Sequence, residues 1–163
     1  MKKYFLLFII LFCADFLSAN AQEIFNSYLE NAKKTLNDTT CNIVERKIAQ
    51  FKYTELQYIK RKAFESNQDV TREFLDNQAY YMSQFISTFF EQAVLNSSLT
   101  KVQKKDRIML FIDATGSNPL FNDTDKELVN AYVTNSKDQL TPFCLDTDWP
   151  KAFAAVASKL KNN

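Results

Sequence analysis

The sequence contains no histidine, one glycine and three prolines. Without histidine, the chain cannot build Ser-His-Asp or Cys-His nucleophile pairs, HExxH zinc sites or a histidine general base. One glycine is too few for the glycine-rich loops that hold phosphate in P-loop and dinucleotide-binding proteins. These absences exclude most common enzyme classes, and a pair of carboxylates is the catalytic arrangement that the composition still allows.

Helix-breaking residues are missing from the range 22–115, since the only glycine is Gly116 and all prolines follow residue 118. Strand-rich folds need turn residues about every ten positions, so this stretch argues against strands. Apolar residues recur there at helical steps, for example at Val44, Ile48 and Phe51. We therefore predict an all-α fold with helices at residues 23–36, 40–65, 69–95, 100–114, 124–135 and 149–161.

The second and third predicted helices are long and are separated only by the polar stretch Glu65–Asp69. A short connection between long helices favours an antiparallel hairpin, and we expect the shorter C-terminal helices to pack over it as a helical bundle. Thr100 and Gln103 match a capping box, and Gly116 matches a left-handed C-terminal cap. Arg107–Ala114 has a strand alternative, although we predict helix.

The N-terminus has the pattern of a signal peptide. Lys2 and Lys3 precede the apolar run Tyr4–Phe12, and the small residues Ala19 and Ala21 form an A-x-A cleavage site. We predict that residues 1–21 are cleaved and that residues 22–163 form a single domain, secreted or periplasmic. A lipoprotein signal and a retained anchor are the alternatives.

The predicted mature chain is electrically neutral. Cleavage removes two lysines and one aspartate, which leaves 18 basic and 18 acidic residues. A neutral chain gives no indication of nucleic acid as a partner. It also has no second apolar run long enough to cross a bilayer, so we expect the mature chain not to span a membrane.

Two cysteines, Cys41 and Cys144, remain after the predicted cleavage. An even number of cysteines in an exported chain favours a disulfide between them. Two buried free thiols are the alternative. A metal site built on two cysteines without histidine is disfavoured.

The motif Asp-Thr-Asp occurs twice, in "PLFNDTDKE" and in "PFCLDTDWP". Each copy stands where a loop becomes a predicted helix, so helix capping explains both: Thr124 with Glu127 matches a capping box, and Asp148 precedes Pro150. The sharper hypothesis is calcium bound by Asp123, Asp125, Asp146 and Asp148. The glycine and the twelfth-position glutamate of an EF-hand loop are absent, so that motif does not match. No other cofactor is predicted.

The third predicted helix is rich in aromatic residues. Such rings either form a central core or line an apolar groove for a peptide or lipid-like ligand. The groove hypothesis involves five residues, Tyr80, Tyr81, Phe85, Phe89 and Phe90.

Together these observations favour an exported, non-enzymatic binding or accessory module whose partner is a protein, a peptide or a lipid-like molecule. The alternative is a carboxylate-pair hydrolase acting on glycans, and a calcium-dependent helical module is third.

Overall fold

The computed structural model describes residues 24–66, 70–133 and 140–161. Residues 24–37 form helix α1. The other helices are α2 (Ile43–Glu65), α3 (Arg72–Phe89), α4 (Lys101–Gly116), α5 (Lys126–Val129) and α6 (Trp149–Lys161). No strand occurs in these ranges, so the all-α prediction is confirmed for the part of the chain that the structure describes.

Polar side chains cap the starts of the long helices. Asn42 opens α2 and accepts a hydrogen bond from the backbone N–H of Glu45, whose side chain accepts one in return. Thr100 and Gln103 form the predicted capping box at the start of α4. Each such cap satisfies backbone N–H groups that the first helical turn leaves without partners.

Helix α4 tests two predictions from the sequence, the strand alternative for Arg107–Ala114 and the left-handed cap at Gly116. It includes the whole stretch Arg107–Ala114, so the strand alternative is wrong. Gly116 is its last residue and does not have a positive φ, so the predicted left-handed cap is also wrong. Instead, Ser117 caps the helix in a right-handed conformation, and its backbone N–H donates to the carbonyl oxygen of Asp113.

The C-terminal region differs from the prediction in one helix. Residues 124–135 were expected to be helical, but α5 covers only Lys126–Val129, and residues 134–135 lie outside the described ranges. Helix α6 starts at Trp149, as predicted. Upstream, α3 continues into one π-helical turn, Phe90–Val94, close to the predicted helix end.

Helix α3 contacts α2 and α6, and α6 in turn contacts α4. The largest contact between helices is the one between α3 and α6. The long hairpin of α2 and α3 therefore stays a prediction, since the helix that contributes most to the packing of α3 comes from the C-terminal third of the chain.

Residues 141–148 form a non-helical stretch that is buried at every position, and we call it the buried segment. It brings Phe143 into the centre of the molecule, next to Trp149 at the start of α6. Phe143 and Trp149 both meet Phe85 of α3 edge to face, with ring centroids 5.2 and 5.3 Å apart. Offset or edge-to-face pairs are the favoured geometry for aromatic rings, so this cluster is the centre of the core.

The two cysteines do not form the predicted disulfide, and both are free thiols in the structure. The two thiols have different surroundings. Cys41 is partly exposed in the turn before α2, where its side chain interacts with Asp38. Cys144 belongs to the buried segment, and its Sγ lies 3.5 Å from Oδ1 of Asn130.

No helix in the described ranges is both long enough and apolar enough to cross a membrane. The predicted signal peptide, residues 1–21, lies outside those ranges.

The core position of Phe85 predicts a large loss of stability on truncation. Phe85→Ala removes a fully buried ring, and we expect the free energy of unfolding to fall by about 3–5 kcal/mol in urea titrations. Phe64→Ala is the matched control because Phe64 is 87% exposed, and it should change stability by less than about 0.5 kcal/mol. Equal effects of the two substitutions would contradict this description of the core.

Candidate functional site

The two Asp-Thr-Asp copies meet in the structure. The carboxylate of Asp146, in the second copy, accepts hydrogen bonds from three backbone N–H groups of the loop that contains the first copy. The donors are Leu120, Phe121 and Asp123, at 3.0, 2.7 and 2.8 Å. Asp146 is buried, so this carboxylate joins two loops that are distant in sequence.

Backbone conformation explains why three donors reach one carboxylate. Asn122 has a φ of 53° and is the only described non-glycine residue in the left-handed region. Asparagine tolerates that region better than most residues. A left-handed residue lets neighbouring N–H groups converge into an anion-binding nest, which Asp146 occupies here.

Asp123 is held from the other side by α2. Its Oδ2 accepts a hydrogen bond from the Tyr58 hydroxyl at 3.0 Å and lies 2.9 Å from Nζ of Lys62. Burial raises the pKa of the Asp123 carboxyl, but the hydrogen bonds from Lys62, from the Asp125 N–H and from Tyr58 outweigh it, so the pKa is lowered overall. Asp123 is therefore a buried anion in an ion pair that fixes its loop against α2.

The remaining two aspartates cap helices. Asp125 caps α5 and accepts from the backbone N–H of Leu128 at 3.0 Å, so the predicted capping box of Thr124 and Glu127 is wrong by one residue. Asp148 accepts from the backbone N–H of Lys151 in the first turn of α6, as expected. Capping thus explains the second aspartate of each copy, and loop anchoring explains the first.

The four aspartates of the calcium hypothesis do not form a metal-ligand cluster in the part of the chain that the structure describes. Across residues 24–66, 70–133 and 140–161, no group of three or more Asp, Glu, Cys or His side chains is placed to hold a metal ion. Asp123 and Asp146 lie in adjoining loops, but their oxygens already accept hydrogen bonds from the protein. Asp125 and Asp148 cap two different helices.

The structure brings together one pair of carboxyl groups that the sequence analysis missed, Glu55 of α2 and Asp146. Burial and the nearby Asp146 charge raise the pKa of Glu55 well above its ordinary value, and a hydrogen bond from Trp149 opposes them. A buried carboxyl group with a raised pKa beside a second carboxyl group is an arrangement used in acid–base catalysis. Both groups are buried, however, and a glycan cannot reach them.

The aromatic residues proposed for a groove on α3 do not form one surface. Phe85 and Phe89 are buried in the core, which corrects that part of the hypothesis. Tyr81 and Phe90 are half-buried and pack against the same core. Tyr80 is exposed and stacks edge to face on Tyr81.

An open groove lies instead along α2. We call it the α2 groove; it has a volume of about 320 Å³ and is closed on its far side by α5 and the buried segment. It is lined by Gln50, Tyr53, Thr54, Gln57, Tyr58, Arg61, Leu128 and Leu145. A second, smaller pocket of about 260 Å³ lies at the end of α2, around Lys62 and Asp123.

The spacing of the α2 residues explains the groove. Positions 50, 53, 54, 57, 58 and 61 follow steps of three and four, so their side chains lie on one face of the helix. This stripe mixes glutamine, threonine, tyrosine and arginine, so an apolar periodicity does not single it out. A search for polar and aromatic residues at helical spacing would have found it.

Comparison with known proteins gave no match: no family model matches the chain, and no curated protein or solved structure matches it.

The anchoring role of Asp146 predicts a specific defect on substitution. Asp146→Asn removes the charge that three N–H groups share, and we expect the free energy of unfolding to fall by about 2–4 kcal/mol. Hydrogen exchange of the Leu120, Phe121 and Asp123 amides should accelerate more than exchange in α3. Asp106→Asn, at an exposed position of α4, is the control and should leave both measurements unchanged. Unaltered exchange in residues 120–123 would show that Asp146 does not hold this loop.

Proposed function

We propose that the protein is an exported, non-enzymatic binding module and that its ligand is a short extended peptide bound in the α2 groove. Export rests on the signal-peptide pattern of residues 1–21. The single observation that carries the binding proposal is the α2 groove, because it is open at the surface and combines an apolar floor with polar side chains.

The dimensions of the groove suit a peptide. Its lining residues on α2 run from Gln50 to Arg61, and these eleven steps along the helix correspond to about 16 Å. An extended chain advances about 3.3 Å per residue, so the groove accommodates about five residues. Alternate side chains of such a peptide point to the same side and can enter the groove together.

The floor is apolar and the rim is polar. Tyr58 and Leu145 are buried at the base, and Leu128 is half-buried beside them. On the rim, the Gln57 amide donates to the Tyr53 hydroxyl at 3.2 Å. Amide and hydroxyl groups can donate and accept, so they match the alternating N–H and C=O groups of a peptide backbone.

Arg61 adds a charge preference at one end of the groove. Its only described ion pair joins it to Glu65 at 3.8 Å, and both side chains are more than half exposed. An exposed pair of this length contributes little, so the guanidinium can exchange Glu65 for a ligand carboxylate. We therefore propose that the preferred peptide places apolar side chains on the floor and an acidic group next to Arg61.

Synthetic five-residue peptides test this proposal directly. Acetylated peptides with apolar residues at alternate positions, made with and without an aspartate at either end, are titrated by fluorescence anisotropy. We expect the aspartate forms to bind more tightly, and Tyr53→Ala to weaken binding by about fivefold or more. Arg61→Gln should remove the difference between the peptides with and without aspartate.

Tyr80→Ala on α3 is the matched control, since it also removes a partly exposed tyrosine but lies outside the α2 groove. It should leave peptide affinity unchanged, and circular dichroism verifies that each variant is folded. A fluorescent fatty acid serves as the competing ligand class. Saturable binding of the fatty acid with no peptide binding would overturn the proposal, as would equal effects of Tyr53→Ala and Tyr80→Ala.

A further inference from the structure

Glu55 is a fully buried carboxyl group in the middle of α2. Its Oε1 accepts a hydrogen bond from the indole N–H of Trp149 at 2.8 Å. Its Oε2 is inaccessible to solvent and has no hydrogen-bond partner. A charged carboxylate in such a place lacks most of the hydrogen bonds that would compensate for its removal from water, so the neutral acid is strongly favoured.

The groups around Glu55 reinforce this preference. From the buried segment, the charge of Asp146 acts on Glu55, and the Cys144 thiol lies within electrostatic reach of it, but neither can supply a positive charge. On α2 itself, the Tyr58 hydroxyl lies within electrostatic reach of Glu55 and donates its hydrogen bond to Asp123. From α6 the neighbour is the uncharged indole of Trp149.

The polar side chain that α3 contributes at this junction is uncharged. Gln78 of α3 accepts a hydrogen bond from the backbone N–H of Trp149 at 3.0 Å, so it fixes the tryptophan without compensating a carboxylate. A proton on Glu55 therefore removes the unfavourable contact with Asp146. It also leaves the bond from Trp149 in place, because a neutral carboxyl still has an acceptor oxygen.

The location of Glu55 connects its charge to the junction between the buried segment and α6. Asp146 and Trp149 frame the junction between the buried segment and α6, and α2 reaches this junction through Glu55. An added charge at Glu55 repels Asp146, and Asp146 is the residue that anchors the loop at residues 120–123. This repulsion acts on the junction between the buried segment and α6. The buried segment has no helical hydrogen-bond ladder of its own to resist the repulsion.

We propose that Glu55 acts as a proton-operated latch: its neutral acid holds the buried segment and Trp149 against α2, and loss of its proton releases them. This role goes beyond peptide binding and does not depend on it. The direction of the pH effect follows from the raised pKa of Glu55. Its contribution to stability is complete below the ordinary glutamate pKa, and it is lost as the pH rises toward the higher pKa of the folded state.

The intact protein allows a direct test, because Trp149 is the only tryptophan of the chain and reports on the latch by fluorescence. Wild type and Glu55→Gln are unfolded in urea at several pH values between 5 and 7.5, below the range in which unfolded thiols titrate. We expect the unfolding constant of the wild type to rise about tenfold or more over this range, since each unit of raised pKa corresponds to tenfold. In Glu55→Gln, which cannot ionise, it should change by about twofold or less.

Two further measurements keep the test decisive. Glu91→Gln changes an exposed glutamate and should keep the pH profile of the wild type. Infrared spectroscopy of the folded wild type at pH 7 should show a protonated carboxyl band, and this holds even if Glu55→Gln folds poorly. Trp149 emission should shift to the red as that band disappears. Parallel pH profiles of wild type and Glu55→Gln, or an ionised Glu55 at pH 6, would overturn the proposal.

Discussion

Burial of a non-helical segment is the constraint on which the rest of this structure depends. Residues 141–148 lie inside the protein without a helical hydrogen-bond ladder, so their polar groups need partners elsewhere in the chain. The backbone N–H groups of Leu145 and Asp148 donate to the carbonyl oxygens of Val129 and Asn118, at 3.0 and 2.7 Å. In the opposite direction, the Asp146 side chain accepts from the loop before α5. These bonds fix Phe143 and Trp149 in the aromatic core.

Burial of residues 141–148 also determines the shape of the surface at the α2 groove. Because the buried segment stands against α2, Leu145 reaches the base of the α2 groove and Leu128 of α5 closes its side. The groove is therefore assembled from three parts of the chain that are distant in sequence. The polar stripe on α2 supplies the recognition groups, while the packing of the C-terminal third determines the depth and the apolar floor.

Local features were predictable from the sequence, and long-range partners were not. The absence of helix breakers before Gly116 and the pairing of Thr100 with Gln103 act within one helix, and the structure confirms the helices and this cap. The role of Asp146 depends on N–H groups more than twenty residues away, and local spacing carries no sign of them. Glu55 appears in the sequence as one more charge on a helix. Its burial and its hydrogen bond from Trp149, which lies 94 positions later in the chain, exist only in the folded structure.

The aromatic residues of the third helix show the same difference between local features, which the sequence predicts, and long-range contacts, which it does not. The core hypothesis and the groove hypothesis for the third helix rest on the same helical spacing of aromatic rings. That spacing does not show which face of the helix packs against a neighbour. Phe85 and Phe89 turned out to be core residues because α6 and the buried segment cover them. The neutral composition also gave no indication of the α2 groove, because each of the residue types on its α2 side is common on exposed helices.

The central position of Trp149 has a consequence for synthesis of the protein on the ribosome. Helices α2 and α3 emerge first, and the faces of Phe51, Phe85 and Phe89 that will pack on Trp149 or Phe143 have no cover at that stage. A nascent chain therefore cannot close its core until residue 149 and the following helix have left the exit tunnel. Such a chain exposes aromatic surface for most of its translation, and exposed apolar surface of this kind is what chaperones recognise.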